Sequence, residues 1–203
     1  MENLKHTGTK MGRPRAFDED AAVDAAMRVF WQKGYEGTSL DDLTEAMGIN
    51  RSSLYSTFSD KETLFRRVVQ RYQSGPLCFL PKALAEPNAR AVIEALLRST
   101  VRFLADSSHP PGCLSMQGGM ACGSGNQDVQ TAMIEWRTAG LRQLQKRMQR
   151  AKAEGDLPKN VDPKDLARVV MILMNGLSVQ AVNGATSAEM NRAIELAMRS
   201  LPL

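Results

Sequence analysis

Residues 39–58, SLDDLTEAMGINRSSLYSTF, constrain the chain most, because they fit two short helices joined by a tight corner and little else. Ser39 is a good N-cap for the first helix, and Asp42 in its first turn complements the dipole. Leu40, Leu43, Ala46 and Met47 recur at helical spacing and form its expected buried stripe. Gly48 ends the helix, since glycine takes up positive φ at low cost. Ile49 plugs the corner, and Asn50 can cap a second helix whose Leu54 and Phe58 face inward. Arg51, Ser52, Ser53, Tyr55, Ser56 and Thr57 are left outward. A compact exposed helix with a guanidinium, hydroxyls and a phenol suits a DNA major groove, which asks for base-edge donors and phosphate contacts together. The expected unit is a helix-turn-helix.

The flanking residues extend it. Phe17, Val23, Met27, Phe30 and Trp31 give an apolar face over residues 19–33, and Gly34 stops that helix. Ser59-x-x-Glu62 reads as a capping box opening a fourth helix with Leu64, Phe65, Val68, Val69 and Tyr72 inward. Lys61 then falls in the first turn, an unfavourable place for a cation unless an anion such as a DNA phosphate lies against the same helix end. The alternative is an ordinary solvated lysine.

Phe30, Gly34-Tyr35, Thr38-Ser39, Ala46-Met47-Gly48-Ile49, Leu54-Tyr55-Ser56-Thr57-Phe58 and Lys61-Glu62 occur in this order and spacing over roughly residues 16–72. In this the chain resembles the TetR/AcrR family of bacterial transcriptional regulators. The resemblance implies a cytoplasmic, all-α protein: a three-helix helix-turn-helix domain joined through a fourth helix to a C-terminal helical ligand-binding and dimerisation domain. On this reading residues 1–15 are a basic arm, 16–60 the DNA-binding domain and 61–203 the regulatory and dimerisation domain. Where the family often has glycine at the second position of the recognition helix, this chain has Ser52, whose hydroxyl can serve as a contact instead. Arg51, Ser52 and Ser53 are expected to read bases, Thr38, Tyr55 and Lys61 to hold phosphates, and Ser39 and Thr57 to belong to the same DNA-binding set.

Net charge is less telling than its placement. The whole chain carries +4, yet residues 1–72 hold 11 Lys+Arg against 11 Asp+Glu. Lys5, Lys10, Arg13 and Arg15 face only Glu2 in the first 17 residues, while Asp18, Glu19, Asp20 and Asp24 crowd the first helix. The arm, with Arg13 and Arg15 around a Gly and a Pro, suits a narrow minor groove. A solubilising tail is the competing reading.

At 203 residues and 43% hydrophobic, the chain can build a sizeable core. It has no 18-residue uninterrupted apolar run and no leader-like N-terminus, which reads as a protein of the cytoplasm with no membrane partner. Cys78, Cys113 and Cys122 form no CxxC pair, so neither a disulfide framework nor a structural zinc site is expected. Two histidines, no carboxylate pair and no phosphate loop argue against an enzyme, and neither a cofactor nor a metal is implied. Cys113 in apolar surroundings reads first as a small buried hydrophobe; the alternative to an effector-controlled regulator is a DNA-binding regulator without small-molecule control, governed by protein partners or by thiol oxidation at Cys113.

The C-terminal half reads as helices from Asn88 to about Leu104, Asp128 to Lys152, Pro163 to Asn183 and Ser187 to about Leu201, with loose residues 117–126 between the first two. The third is apolar almost all round, so it must be covered within one subunit or between two. The resemblance implies a two-fold dimer through the last two helices, and Leu166, Val170, Leu173, Leu177, Met190, Ile194 and Met198 are the expected interface. It also implies a small apolar or aromatic effector. Phe103, Met116, Met120, Met133, Trp136, Met171 and Met174 are its candidate lining, adaptable through their thioethers; plain core packing is the other reading of those methionines.

Overall fold

The computed structural model describes residues 17–118 and 126–203. Arg13, Arg15, Met120 and Cys122 lie outside the described residues. Ten helices occur in the described part: α1 (Glu19–Lys33), α2 (Leu40–Met47), α3 (Arg51–Phe58), α4 (Lys61–Ser74), α5 (Phe79–Leu84), α6 (Ala89–Leu104), α7 (Leu114–Gln117), α8 (Gln127–Ala153), α9 (Pro163–Val182) and α10 (Ser187–Ser200). The all-α expectation is met.

Local chemistry sets most of the ends. Ser39 and Asp42 form a reciprocal capping box at α2, and Gly48 closes that helix at φ 64°, ψ 30°, the left-handed conformation the tight corner requires. Asn50 Oδ1 accepts from Ser53 N–H at 2.7 Å to open α3. Two caps differ from expectation. Ser59 is spent in the α3–α4 turn at φ 65°, so Asp60 caps α4 instead and accepts from Thr63 N–H at 2.6 Å. Thr186, rather than Ser187, caps α10 in a box with Glu189. Ala46 is also exposed; Leu43 and Met47 are the buried residues of α2.

Two apolar clusters divide the described chain. One joins α1–α4 through Val23, Phe30, Trp31, Leu43, Leu54, Phe58, Leu64, Phe65, Val68 and Tyr72, and draws in Leu114 of α7 and Val129 and Met133 of α8. Ion pairs stitch its helices together. Arg71 forks onto both Asp24 oxygens at 2.8 Å, Arg67 reaches Glu19 at 3.2 Å, and Lys33 binds Asp42 at 2.6 Å. The acids of α1 are thus turned to α4.

The second cluster packs α6 against α8, α9 and α10. Here six of the seven expected dimer residues are found inside the protomer. Leu166, Val170, Leu177, Met190, Ile194 and Met198 are all buried in this core, and Leu173 is half-buried beside it. A helix apolar all round gives its inward face no distinctive period, so sequence did not separate the residues that complete the protomer core from those on the outward stripe. The outward stripe carries Val169, Ile172 and Val179 on α9 and Leu196 on α10, with Ile172 and Leu196 62% and 65% exposed. Among the described helices α9 alone is long and apolar enough to cross a membrane, at mean hydropathy 1.3.

Candidate DNA interface and effector cavity

The outward side of α3 is built by its inward side. Leu54 and Phe58 are fully buried, so the 100° step per residue turns Arg51, Ser52, Tyr55 and Ser56 out, with Ser53 and Thr57 half-buried at the edges. Asp41, on α2, takes hold of Arg51: Nη2 and Nε donate to Asp41 Oδ1 at 2.7 and 3.2 Å. This partner also raises the Arg51 pKa, so the guanidinium is a permanent cation.

Lys61 sits in the first turn of α4, its ammonium 4.3 Å over the Tyr35 ring. That contact holds the charge where dipole logic disfavours it. Ser39 Oγ accepts from Asp42 N–H at 3.1 Å, and the Ser39 N–H donates to Asp42 Oδ2 at 2.9 Å. Lys33 and the Ser39 backbone and hydroxyl lower the Asp42 carboxyl to about 2. Thr38 is a correction. It is 2% exposed and its hydroxyl donates to Gly34 O at 2.6 Å, so it ties off α1 and is not available to a phosphate.

Behind α4, a cavity of about 110 Å³ lies among α5, α6, α8, α9 and the 113–115 segment. Phe103, Trp136, Met171 and Met174 line it as the sequence suggests, together with Leu77, Phe79, Leu80, Thr100, Cys113, Ser115, Arg137, Gly140, Asn175 and Ser178, which sequence missed. Met116 lines a neighbouring open hollow with Cys113 and Val182. Met133 is buried in the N-terminal cluster and lies outside this cavity; with Trp136 it borders a separate hollow between α4 and α8. The missed wall had a faint signal. Phe79 and Leu80 belong to a six-residue helix with Pro81 in its first turn, too short to show a period.

Tyr72 of α4 stands between cavity and DNA-binding helices. Its ring is fully buried, edge-on to Trp31 of α1 at 4.9 Å, Phe103 at 6.2 Å and Trp136 at 5.8 Å, and its Oη lies 3.1 Å from Cys113 Sγ. Burial first, and the Cys113 sulfur second, push the phenol well above its usual range, so it stays protonated. His109 stacks against both Trp31 and Phe103, 4.6 Å from each, the two larger rings being 5.7 Å from one another, and its Nδ1 lies 2.8 Å from Pro110 O. A larger cleft of about 530 Å³ lies between α1 and α6, but it is open, and its Arg28 and Asp24 are committed to Ser108 O and Arg71.

A helix-turn-helix with an exposed second helix, joined by one buried aromatic hub to a helical domain holding a cavity, defines a DNA-binding regulator of two coupled parts. Residues 22–68 match the family of bacterial regulatory proteins, tetR family, and residues 87–197 the tetracyclin repressor-like C-terminal domain. The chain is 31% identical over 196 residues to the HTH-type transcriptional repressor ComR of Escherichia coli K12, covering 94% of this chain and 92% of ComR. It is similar to two structures of the TetR family regulator CifR, cysteine mutants in complex with 26-bp double-strand operator DNA. Both are 38% identical over 94% of this chain and 100% of CifR, with TM-scores of 0.89 and 0.90. The chain belongs to the TetR family and is a DNA-binding transcriptional regulator.

Proposed function

We propose that this protein is a cytoplasmic dimeric repressor that grips a palindromic operator with α3 and the start of α4, and releases it when a small apolar or aromatic effector fills the 110 Å³ cavity. Arg51, Ser52 and Ser53 read bases; Ser39, Tyr55, Thr57 and Lys61 hold phosphates, and Arg13 and Arg15 enter the minor groove. The names of ComR, a repressor, and of the operator-bound CifR complexes support the DNA half of this reading. The dimer forms through the outward stripe of α9 and α10, a contiguous apolar surface of the sort that marks an interface. Two-fold pairing then suits two half-sites about one helical turn apart.

The observation that carries the switch is Tyr72. Phe103, Trp136 and Cys113 all line the cavity and all touch this one residue of α4, while its other face meets Trp31 of α1. A ligand that moves those walls repacks Tyr72, and the Arg71–Asp24 fork carries α1 along with α4. Coupling of this kind amounts to roughly 5–150-fold in affinity and must be reciprocal. The test is a thermal-shift screen of small apolar and aromatic compounds, followed by operator titrations, with the operator itself found by selection from random DNA. Hits are expected to weaken operator binding, and operator DNA to weaken each hit by the same factor. Stabilising hits that leave operator affinity unchanged would refute the switch.

The 3.1 Å contact of Cys113 Sγ with Tyr72 Oη favours one second reading. Peroxide oxidation of this thiol to a sulfenic acid would disturb the same hub, in which case peroxide should release the operator from the wild type and not from Cys113→Ser.

A further inference from the structure

The effector cavity is small and its polar wall groups are, with one exception, already bonded. The geometry points to a neutral, single-ring aromatic effector whose hydroxyl, amide or carbonyl group is read by Asn175. This inference rests on the ligand-release reading above, and narrows it. A cavity of about 110 Å³ is close to the ~150 Å³ that holds benzene, and well below the roughly 300–1,000 Å³ of sites for drug-sized molecules. Three of its walls are rings: Phe79 from α5, Phe103 from α6 and Trp136 from α8. A planar ring fills such a slot with the offset and edge contacts that aromatic groups prefer.

The polar groups decide the rest. Thr100 Oγ1 donates to Leu96 O at 2.8 Å, Ser178 Oγ to Met174 O at 3.1 Å, and Arg137 Nη1 to Ser115 O at 2.7 Å; Ser115 Oγ lies 2.9 Å from Cys113 Sγ. Asn175 is half-buried on α9 and its carboxamide makes no side-chain hydrogen bond among the described residues. An amide both donates and accepts, so it matches a phenol, a primary amide or a carbonyl; the one cation of the cavity wall, Arg137, is turned to the Ser115 carbonyl, which leaves the neutral Asn175 as the group that reads the ligand.

The experiment is calorimetric titration of the full-length protein with phenol, benzamide, toluene, benzoate and 4-phenylphenol. It is repeated with Asn175→Leu and, should that variant fold poorly, with Asn175→Ala. Phenol or benzamide should bind one per protomer, more tightly than benzoate or the two-ring compound. Each variant should weaken that ligand at least tenfold while leaving toluene unchanged. Absence of phenol and benzamide binding, preference for benzoate or 4-phenylphenol, equal loss of toluene, or indifference to the substitution would each overturn the assignment. Operator affinity measured beside each titration separates the two readings. Phenol or benzamide binding through Asn175 without DNA release removes the switch and keeps the ligand class. Release by a two-ring or anionic compound that ignores Asn175 removes the class and keeps the switch.

Discussion

In the free protein Arg51 is not waiting for DNA but bound to Asp41, both side chains being more than half exposed. An exposed pair of this kind contributes little to stability, so its main effect falls on the reader helix. The proposed base contact would break it and leave the Asp41 carboxylate facing the incoming phosphate backbone. Asp41→Asn is therefore expected to tighten operator binding severalfold and to loosen sequence choice, as measured by titrating cognate and scrambled duplexes. Arg51→Ala should cost about 5–150-fold on the cognate site and relax selectivity there, whereas Lys61→Ala should weaken all duplexes alike and lower the salt slope by about one. An unchanged salt slope for Lys61→Ala would remove it from the phosphate contacts. Ser59, the one non-glycine residue at positive φ among the described residues, is a different matter. Ser59→Gly should raise the melting temperature slightly, because the strained turn is kept and its strain relieved. At this scale sequence could not separate Thr38 from Ser39. A short hydroxyl beside a helix start looks the same whether it faces a phosphate or, as at Thr38, the Gly34 carbonyl.

Between elements, α1 and α2 are tied by Lys33 and Asp42, and this tie has a pH signature. A carboxylate held at about 2 in the fold against 3.8 ordinarily adds stability above pH 3.8 and loses it as pH falls toward 2. Acid unfolding followed by circular dichroism should accordingly shift to higher pH in Asp42→Asn and become less steep. An identical acid profile would mean that the ion pair adds nothing. The elements were unequally legible beforehand. Amphipathic α1 and α4 announced both their existence and their buried faces, because one stripe of each is apolar and the other is not. With α9 that contrast vanishes, and existence was legible where orientation was not. The consequence is concrete: Leu177→Asp or Ile194→Asp should unfold the protomer, while Ile172→Asp or Leu196→Asp should leave it helical and monomeric. Sedimentation together with circular dichroism distinguishes the pairs, and an intact dimer in both outward variants would move the interface elsewhere.

For the whole molecule, the dimer proposed through the outward stripe of α9 and α10 would set how the regulator responds to its own abundance. In that proposal a protomer with Ile172 and Leu196 in water has to find a second copy before both half-sites are occupied. Below the dimer dissociation constant, operator occupancy rises with the square of protein concentration rather than in proportion to it. A cell that halves its stock of the protein then loses about three quarters of the competent species. Weakening the stripe by Ile172→Ala would raise the concentration below which this square law holds, without touching α3.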